Sequence, residues 1–125
     1  MTAPEKFKFM EDGAPSVDVP FGLWELNPAG TVLHYEPERG GGPCFRHRDV
    51  VGRSFLGDVV PAGMSPGFAE MLGQFVAGSA PAGGFDFTFE TEPGVYVRAR
   101  VLLGRLRRAS KPGGAETLLV HVRRS

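Results

Sequence analysis

Residues 21–35, FGLWELNPAGTVLHY, predict a β-hairpin. Apolar and β-branched residues lie on both sides of the sequence NPAG, in which proline restricts φ and glycine accepts a positive φ. This pattern is typical of two short antiparallel strands joined by a tight turn. The hairpin is the first regular element that the sequence predicts.

A glycine-rich loop and helices are predicted after the hairpin. Residues 36–45, EPERGGGPCF, include three consecutive glycines and predict a loop, and residues 46–60 predict short helical turns. A longer helix is expected to have Ser65 as its N-cap, Pro66 as its first residue and Gly78 at its end. Its apolar stripe is predicted from three- and four-residue spacing: Phe68, Met71, Leu72, Phe75 and Val76.

Three further strands are predicted in the C-terminal part of the chain. Residues 85–90, FDFTFE, alternate phenylalanines with polar residues, and residues 95–103, VYVRARVLL, alternate in the same way. Gly104 is expected to mark a bulge that shifts the phase of this strand. A set of arginines is then expected on the outer face of the sheet: Arg98, Arg100, Arg105, Arg107 and Arg108. The last strand is predicted over TLLVHVRR, residues 117–124.

Length and composition predict one domain with a short N-terminal extension. The chain has 125 residues, and we expect a cap or tail at residues 1–20 and one domain at residues 21–125. No apolar run approaches the length of a membrane span, and the first residues lack the apolar core of a signal peptide. We therefore expect a cytoplasmic protein. The single cysteine, Cys44, excludes an internal disulfide.

Charge is unevenly distributed along a chain whose formal net charge is zero. Before Arg98 there are 6 basic and 13 acidic residues, whereas from Arg98 onward there are 8 basic residues and one acidic residue. We expect the acidic part to pack near the basic part of the same fold. Nucleic-acid binding is not expected, because Tyr96 is the one aromatic available for stacking on the arginine-bearing face.

Several short motifs occur in an order that resembles a known family. They are LNPAGTVLHY, VVGRSF, DVVP, SPGF, FVAG and FDFTF. With these motifs the chain resembles a PAS domain, and more specifically the photoactive yellow protein family of bacterial light receptors, without a gap from Phe21 to Phe89. The resemblance implies an α+β fold in which a five-stranded antiparallel sheet carries short helices on one face and encloses a small-molecule pocket.

The resemblance also bears on the chemistry of that pocket. In the family a cysteine directly after D-V-x-P forms a thioester with p-coumaric acid, and here that position is Ala62, which has no nucleophile. The tyrosine that holds the chromophore matches Tyr35, whereas the matching glutamate position is Arg39. Two further pocket positions, a threonine and an arginine in the family, are Pro43 and Phe45. The resemblance thus implies the scaffold without the covalent photochemistry.

Six residues are candidates for contact with a non-covalent small organic ligand: Tyr35, Arg39, Cys44, Phe45, Ala62 and Phe89. Cys44 is interpreted as a small residue in the pocket wall rather than as a replacement nucleophile. No catalytic set and no metal site are predicted. A metal or haem site would need an unusual pairing among the three histidines, His34, His47 and His121.

Three functional hypotheses follow from the residues and the resemblance. The first is a sensory or interaction module that holds a small organic molecule and signals to a protein partner or a second copy. The second is an enzyme that uses Tyr35 as a general acid on a small acyl or aromatic substrate, which Arg39 or a carboxylate would position. The third is a ligand-free dimerisation module with a collapsed pocket. The third would show a core filled by Phe55, Phe68, Phe75, Phe85, Phe87 and Phe89.

Overall fold

The computed structural model describes residues 19–38, 45–107 and 116–125. In chain order the elements are β1 (Gly22–Leu26), β2 (Val32–Pro37), α1 (His47–Val50), a π-helical turn (Phe55–Val59), α2 (Ser65–Ala77), β3 (Ala82–Glu92), β4 (Val95–Arg107) and β5 (Glu116–Arg124). The N-terminal cap predicted at residues 1–20 lies almost entirely outside the described residues, as do Arg39, Cys44 and Arg108.

The five strands form one sheet in the order β2-β1-β5-β4-β3, and every neighbouring pair is antiparallel. The predicted hairpin is confirmed as β1 and β2, with Asn27 at the turn. Its side-chain Oδ1 accepts hydrogen bonds from the backbone N–H groups of Ala29 and Thr31, and Gly30 adopts φ +89°. The asparagine side chain and the glycine together set the tight turn that the sequence predicts.

Alternating residues of the strands build the core on one face of the sheet, where the helices pack. In β1 the buried residues are Gly22, Trp24 and Leu26, which is the period of two expected for a half-buried strand. Helix α1 contacts β2, and α2 contacts the π-helical turn and β3. The predicted α+β fold, with a five-stranded antiparallel sheet and helices on one face, is confirmed.

Helix α2 begins and packs somewhat differently from its prediction. Met64 is the N-cap, because the preceding turn has already brought the chain into a helical conformation there. The Ser65 hydroxyl instead donates to the Leu56 carbonyl, 2.7 Å away. Gly78 ends the helix as predicted. The predicted stripe is too wide, since Met71 and Val76 are exposed while Phe68 and Leu72 are buried.

The bulge predicted at Gly104 is wrong. Gly104 pairs with Ala82 of β3 and with Leu119 of β5 without a change of register. Because no extra residue enters β4, Arg105 keeps the phase of the buried Val101 and Leu103. Arg105 therefore lies on the helix-bearing side of the sheet rather than on the outer face.

Candidate functional site

Trp24 and Tyr35 are cross-strand partners in the hairpin, and the core beneath this part of the sheet is built around their side chains. Their rings stack with centroids 4.0 Å apart, and both side chains are buried. The Trp24 indole N–H donates to the Pro20 carbonyl at 2.9 Å, and the Tyr35 hydroxyl donates to the Phe21 carbonyl at 3.1 Å. These bonds satisfy the polar ends of two large buried rings, as burial requires.

Gly22 allows this arrangement, because the Tyr35 ring lies against its backbone. Its φ is +132°, a conformation that residues with a Cβ rarely adopt. A Cβ built on Gly22 would be 2.5 Å from the Glu36 carbonyl oxygen and 2.7 Å from Cε1 of Tyr35. The absence of a side chain at this position thus leaves room for the tyrosine ring.

Two phenylalanines from the segment after the loop close over the stacked pair. The Phe45 ring lies edge-on to both, with centroids 5.7 Å from Trp24 and 6.3 Å from Tyr35. The Phe55 ring, from the π-helical turn, lies 5.1 Å from Trp24. Edge-to-face and tilted contacts of this kind are the favoured geometries of aromatic pairs.

The aromatic contacts continue across the core to β3. Phe68 of α2 lies 5.8 Å from Phe55 and also contacts three rings of β3, Phe85, Phe87 and Phe89. We call the connected rings the aromatic run: Trp24, Tyr35, Phe45, Phe55, Phe68, Phe85, Phe87 and Phe89. The aromatic run extends from the hairpin to β3, the strand at the opposite edge of the sheet. Aromatic side chains therefore fill the core between the sheet and the helices.

The candidate ligand residues fall at different places relative to this run. Tyr35 and Phe45 meet at its hairpin end, whereas Phe89 lies near its other end. Ala62 is exposed in the turn after the buried Pro61, where its carbonyl accepts a bond from the Ser65 N–H. Arg39 and Cys44 lie outside the described residues. The role of all six residues in ligand contact stays a prediction.

Trp24 was not among the sequence candidates, although it is the central ring of the hairpin end. Its partner could have been found from the hairpin itself, because counting outward from the Asn27 turn brings Trp24 near Tyr35. The bulge between Glu25 and Leu26 shifts that count by one residue. The sequence pattern does not show this bulge, so it did not identify Trp24 as the cross-strand partner of Tyr35.

The polar chemistry of the described interior is confined to satisfied groups. Within residues 19–38, 45–107 and 116–125, no buried side-chain nitrogen or oxygen lacks a hydrogen-bond partner. In the same ranges no three histidine, cysteine, aspartate or glutamate side chains converge as metal ligands. The described interior therefore consists of aromatic and aliphatic side chains together with the hydrogen-bonded polar groups of Trp24 and Tyr35. Among the described helices, none has the length and apolarity to cross a membrane.

Comparisons with known proteins agree with this architecture. No protein-family model matches the chain, and no curated protein sequence matches it significantly. Among solved structures it is similar to the photoactive yellow protein domain of the sensor histidine kinase Ppr from Rhodospirillum centenum, with a TM-score of 0.54 and 23% identity. The match covers 82% of this chain and 92% of that domain. The likeness shows that the chain has the PAS-like fold of a photoactive yellow protein domain.

Proposed function

We propose that this chain is a sensory module that holds a small planar organic molecule non-covalently and signals to a protein partner. The observation that carries the proposal is the likeness of fold to the photoactive yellow protein domain of a sensor histidine kinase. The match covers 92% of that domain. A sensory domain of this type needs a ligand contact and an element that moves with it. The aromatic run supplies the first and α1 the second.

Phe45 is the ring that a ligand would displace. It is 8% exposed, whereas its neighbours Trp24, Tyr35 and Phe55 are at most 1% exposed. It also comes directly before α1, with Arg46 as the N-cap of that helix. A planar molecule in place of the Phe45 ring would keep the aromatic contacts of Trp24 and Tyr35 while shifting α1, and a partner bound near α1 would register the shift.

Ala62 supports the non-covalent part of the proposal. It occupies the position at which the resembling family carries its thioester cysteine, and a methyl side chain has no nucleophile. The exposed Ala62 methyl also lies outside the aromatic run. We therefore expect any resident molecule to leave when the protein unfolds.

Mass spectrometry of protein purified from its own host tests the proposal. Under native conditions we expect a mass above that of the 13.4 kDa chain, and under denaturing conditions the bare chain. In parallel, p-coumaric acid serves as the probe, and the fluorescence of Trp24, the single tryptophan, reports binding. Phe45→Ala should bind the probe more tightly than wild type, since it opens space beside Trp24, and Phe75→Ala is the matched control.

Two results would contradict the proposal. A mass that survives denaturation would show covalent attachment. A bare native mass, with no fluorescence response to the probe in wild type or Phe45→Ala, would show that the protein holds no ligand of this kind.

A second candidate function, a ligand-free dimerisation module, is favoured by the filled core. Phe55, Phe68, Phe85 and Phe89 are buried, and Phe75 and Phe87 pack against them. Such a core is stable without a guest. A bare native mass at twice the chain mass would support this candidate over the first.

A further inference from the structure

Two histidines from different elements meet at the edge of the sheet. His34 lies in β2, and His47 is the first residue of α1. The Nδ1 atom of His34 is 3.2 Å from the Nε2 atom of His47, and the ring centroids are 4.9 Å apart at an interplanar angle of 66°. Both side chains are exposed, so the pair is accessible to ions in solution.

We propose that His34 and His47 form a binding site for a divalent transition-metal ion of the zinc type. Zinc–nitrogen bonds of about 2.0–2.1 Å at a tetrahedral angle place the two ligand nitrogens about 3.3–3.4 Å apart. The observed 3.2 Å separation is close to that value. The two nitrogens share a hydrogen bond in the structure, so metal binding would release that proton to solvent and put the ion in its place. Imidazole nitrogen is a preferred ligand of zinc, copper and nickel.

Glu36 lies beside the outer ring nitrogen of His34. Its Oε2 atom lies 3.9 Å from Nε2 of His34, which is the nitrogen that does not face His47. Histidines that bind metals usually donate their remaining ring N–H to a carboxylate or carbonyl, which orients the ring and raises its basicity. At 3.9 Å the Glu36 carboxylate is beyond hydrogen-bond distance of Nε2, and its negative charge attracts a cation bound by His34.

The site is open rather than closed. Within the described ranges no third histidine, cysteine, aspartate or glutamate joins the pair, so solvent would complete the coordination. Arg46 and Arg48 flank His47 in the sequence and lower the affinity for a cation. We infer exchangeable binding rather than a permanent structural metal.

A bound ion would tie α1 to the edge strand β2. Phe45, two residues before His47, packs against Trp24 and Tyr35, so the metal would also restrain the ring that covers the stacked pair. The metal site does not depend on the proposed sensory function, because it rests on the histidine pair alone.

Titration of the full chain with Zn²⁺, followed by calorimetry and by NMR of the histidine ring nitrogens, tests the site. In wild type we expect one equivalent of Zn²⁺ to bind and to shift the His34 Nδ1 and His47 Nε2 signals. His34→Gln and His47→Gln should each weaken binding by at least about tenfold, since changing an outer partner alone typically costs 10–100-fold. Glu36→Gln should weaken binding less than either.

His121→Gln is the matched control, because His121 pairs with Glu38 at 3.6 Å rather than with another histidine. It should leave Zn²⁺ affinity unchanged. The proposal is overturned if wild type does not bind Zn²⁺, or if neither histidine variant weakens binding. It is also overturned if Cys44→Ser abolishes binding while the histidine variants retain it. The NMR shifts of wild type decide the matter even if a variant fails to fold.

Discussion

Among single residues, Gly22 combines an unusual backbone conformation with close packing against the Tyr35 ring. Its positive φ strains any other residue, and a Cβ would lie 2.5 Å from the Glu36 carbonyl oxygen. We expect Gly22→Ala to lower the free energy of unfolding by about 3 kcal/mol or more, as for strain combined with overpacking. Urea denaturation measures this loss.

Gly30→Ala is the matched control for Gly22→Ala. Gly30 also has a positive φ, +89°, but a Cβ there meets no atom within 4 Å. The expected loss is about 1 kcal/mol, the cost of the left-handed conformation alone. Equal losses for the two variants would show that the contact between Gly22 and the Tyr35 ring does not matter for stability.

Tyr35 combines a buried ring with a hydrogen-bonded hydroxyl at the hairpin end of the core. Tyr35→Phe keeps the ring stacked on Trp24 but removes the bond to the Phe21 carbonyl. We expect a loss of about 1 kcal/mol in the free energy of unfolding. Tyr96→Phe, at a tyrosine that is 64% exposed, should change it by less than about 0.5 kcal/mol. A larger loss in Tyr96→Phe than in Tyr35→Phe would contradict this account.

At the scale of elements, Arg105 joins α2 to β4. Its guanidinium donates to the carbonyls of Phe75 and Gly78 at the end of α2 and of Ala80 in the connection to β3, and it lies 4.4 Å above the Phe75 ring. It also pairs with Glu116 at 3.6 Å. A cation that bonds the last carbonyls of a helix satisfies them and interacts favourably with the helix dipole.

Arg105→Gln should therefore lower the free energy of unfolding by about 2 kcal/mol. Hydrogen exchange should accelerate most in the last turn of α2. Arg100→Gln is the matched control, since Arg100 of the same strand forms an exposed ion pair with Asp86 and should lose less than about 1 kcal/mol. If both variants lost the same stability, Arg105 would be an ordinary surface arginine.

Elements with a clear repeat could be predicted from the sequence, and contacts between elements could not. The hairpin, the longer helix and the three later strands follow from turn residues and periodicity. Gly104 misled the prediction because glycine occurs both at bulges and in regular strands, and pairing on both sides of β4 decides which. Whether Arg105 lies on the helix-bearing face or on the outer face of the sheet depends on whether Gly104 forms a bulge.

The candidate site shows the same limit. Tyr35, Phe45 and Phe89 were predicted to contact a ligand, which stays a prediction, and the structure places all three in the aromatic run. The contact of His34 with His47 depends on where α1 packs against β2, and no pattern in the sequence encodes that placement. The same holds for Ala62, whose exposure is set by the turn after Pro61.

At the scale of the whole molecule, the aromatic run makes one continuous core. Phe68 is fully buried at its centre and contacts rings from the π-helical turn and β3. Phe68→Ala should lower the free energy of unfolding by about 3–5 kcal/mol through the lost burial and the cavity it leaves. Trp24 fluorescence and far-UV circular dichroism should still give coincident urea transitions.

Phe68→Leu is the control, because it keeps an apolar side chain of similar volume and should cost about 1.5 kcal/mol or less. Separate transitions for fluorescence and circular dichroism in Phe68→Ala would show that the two ends of the aromatic run unfold independently.

The strand order has a consequence for how the protein is made. The hairpin β1–β2 and the hairpin β3–β4 are joined side by side through β5, which pairs with β1 on one flank and β4 on the other. Of these two pairings, only the one between β1 and β5 joins strands that are distant in the chain, and it forms late because its loop-closure cost comes first. During synthesis on the ribosome, two separate hairpins precede the sheet. The sheet can close only after β5 has been synthesised, so until then β1 and β4 each lack the strand that pairs with them in the finished sheet.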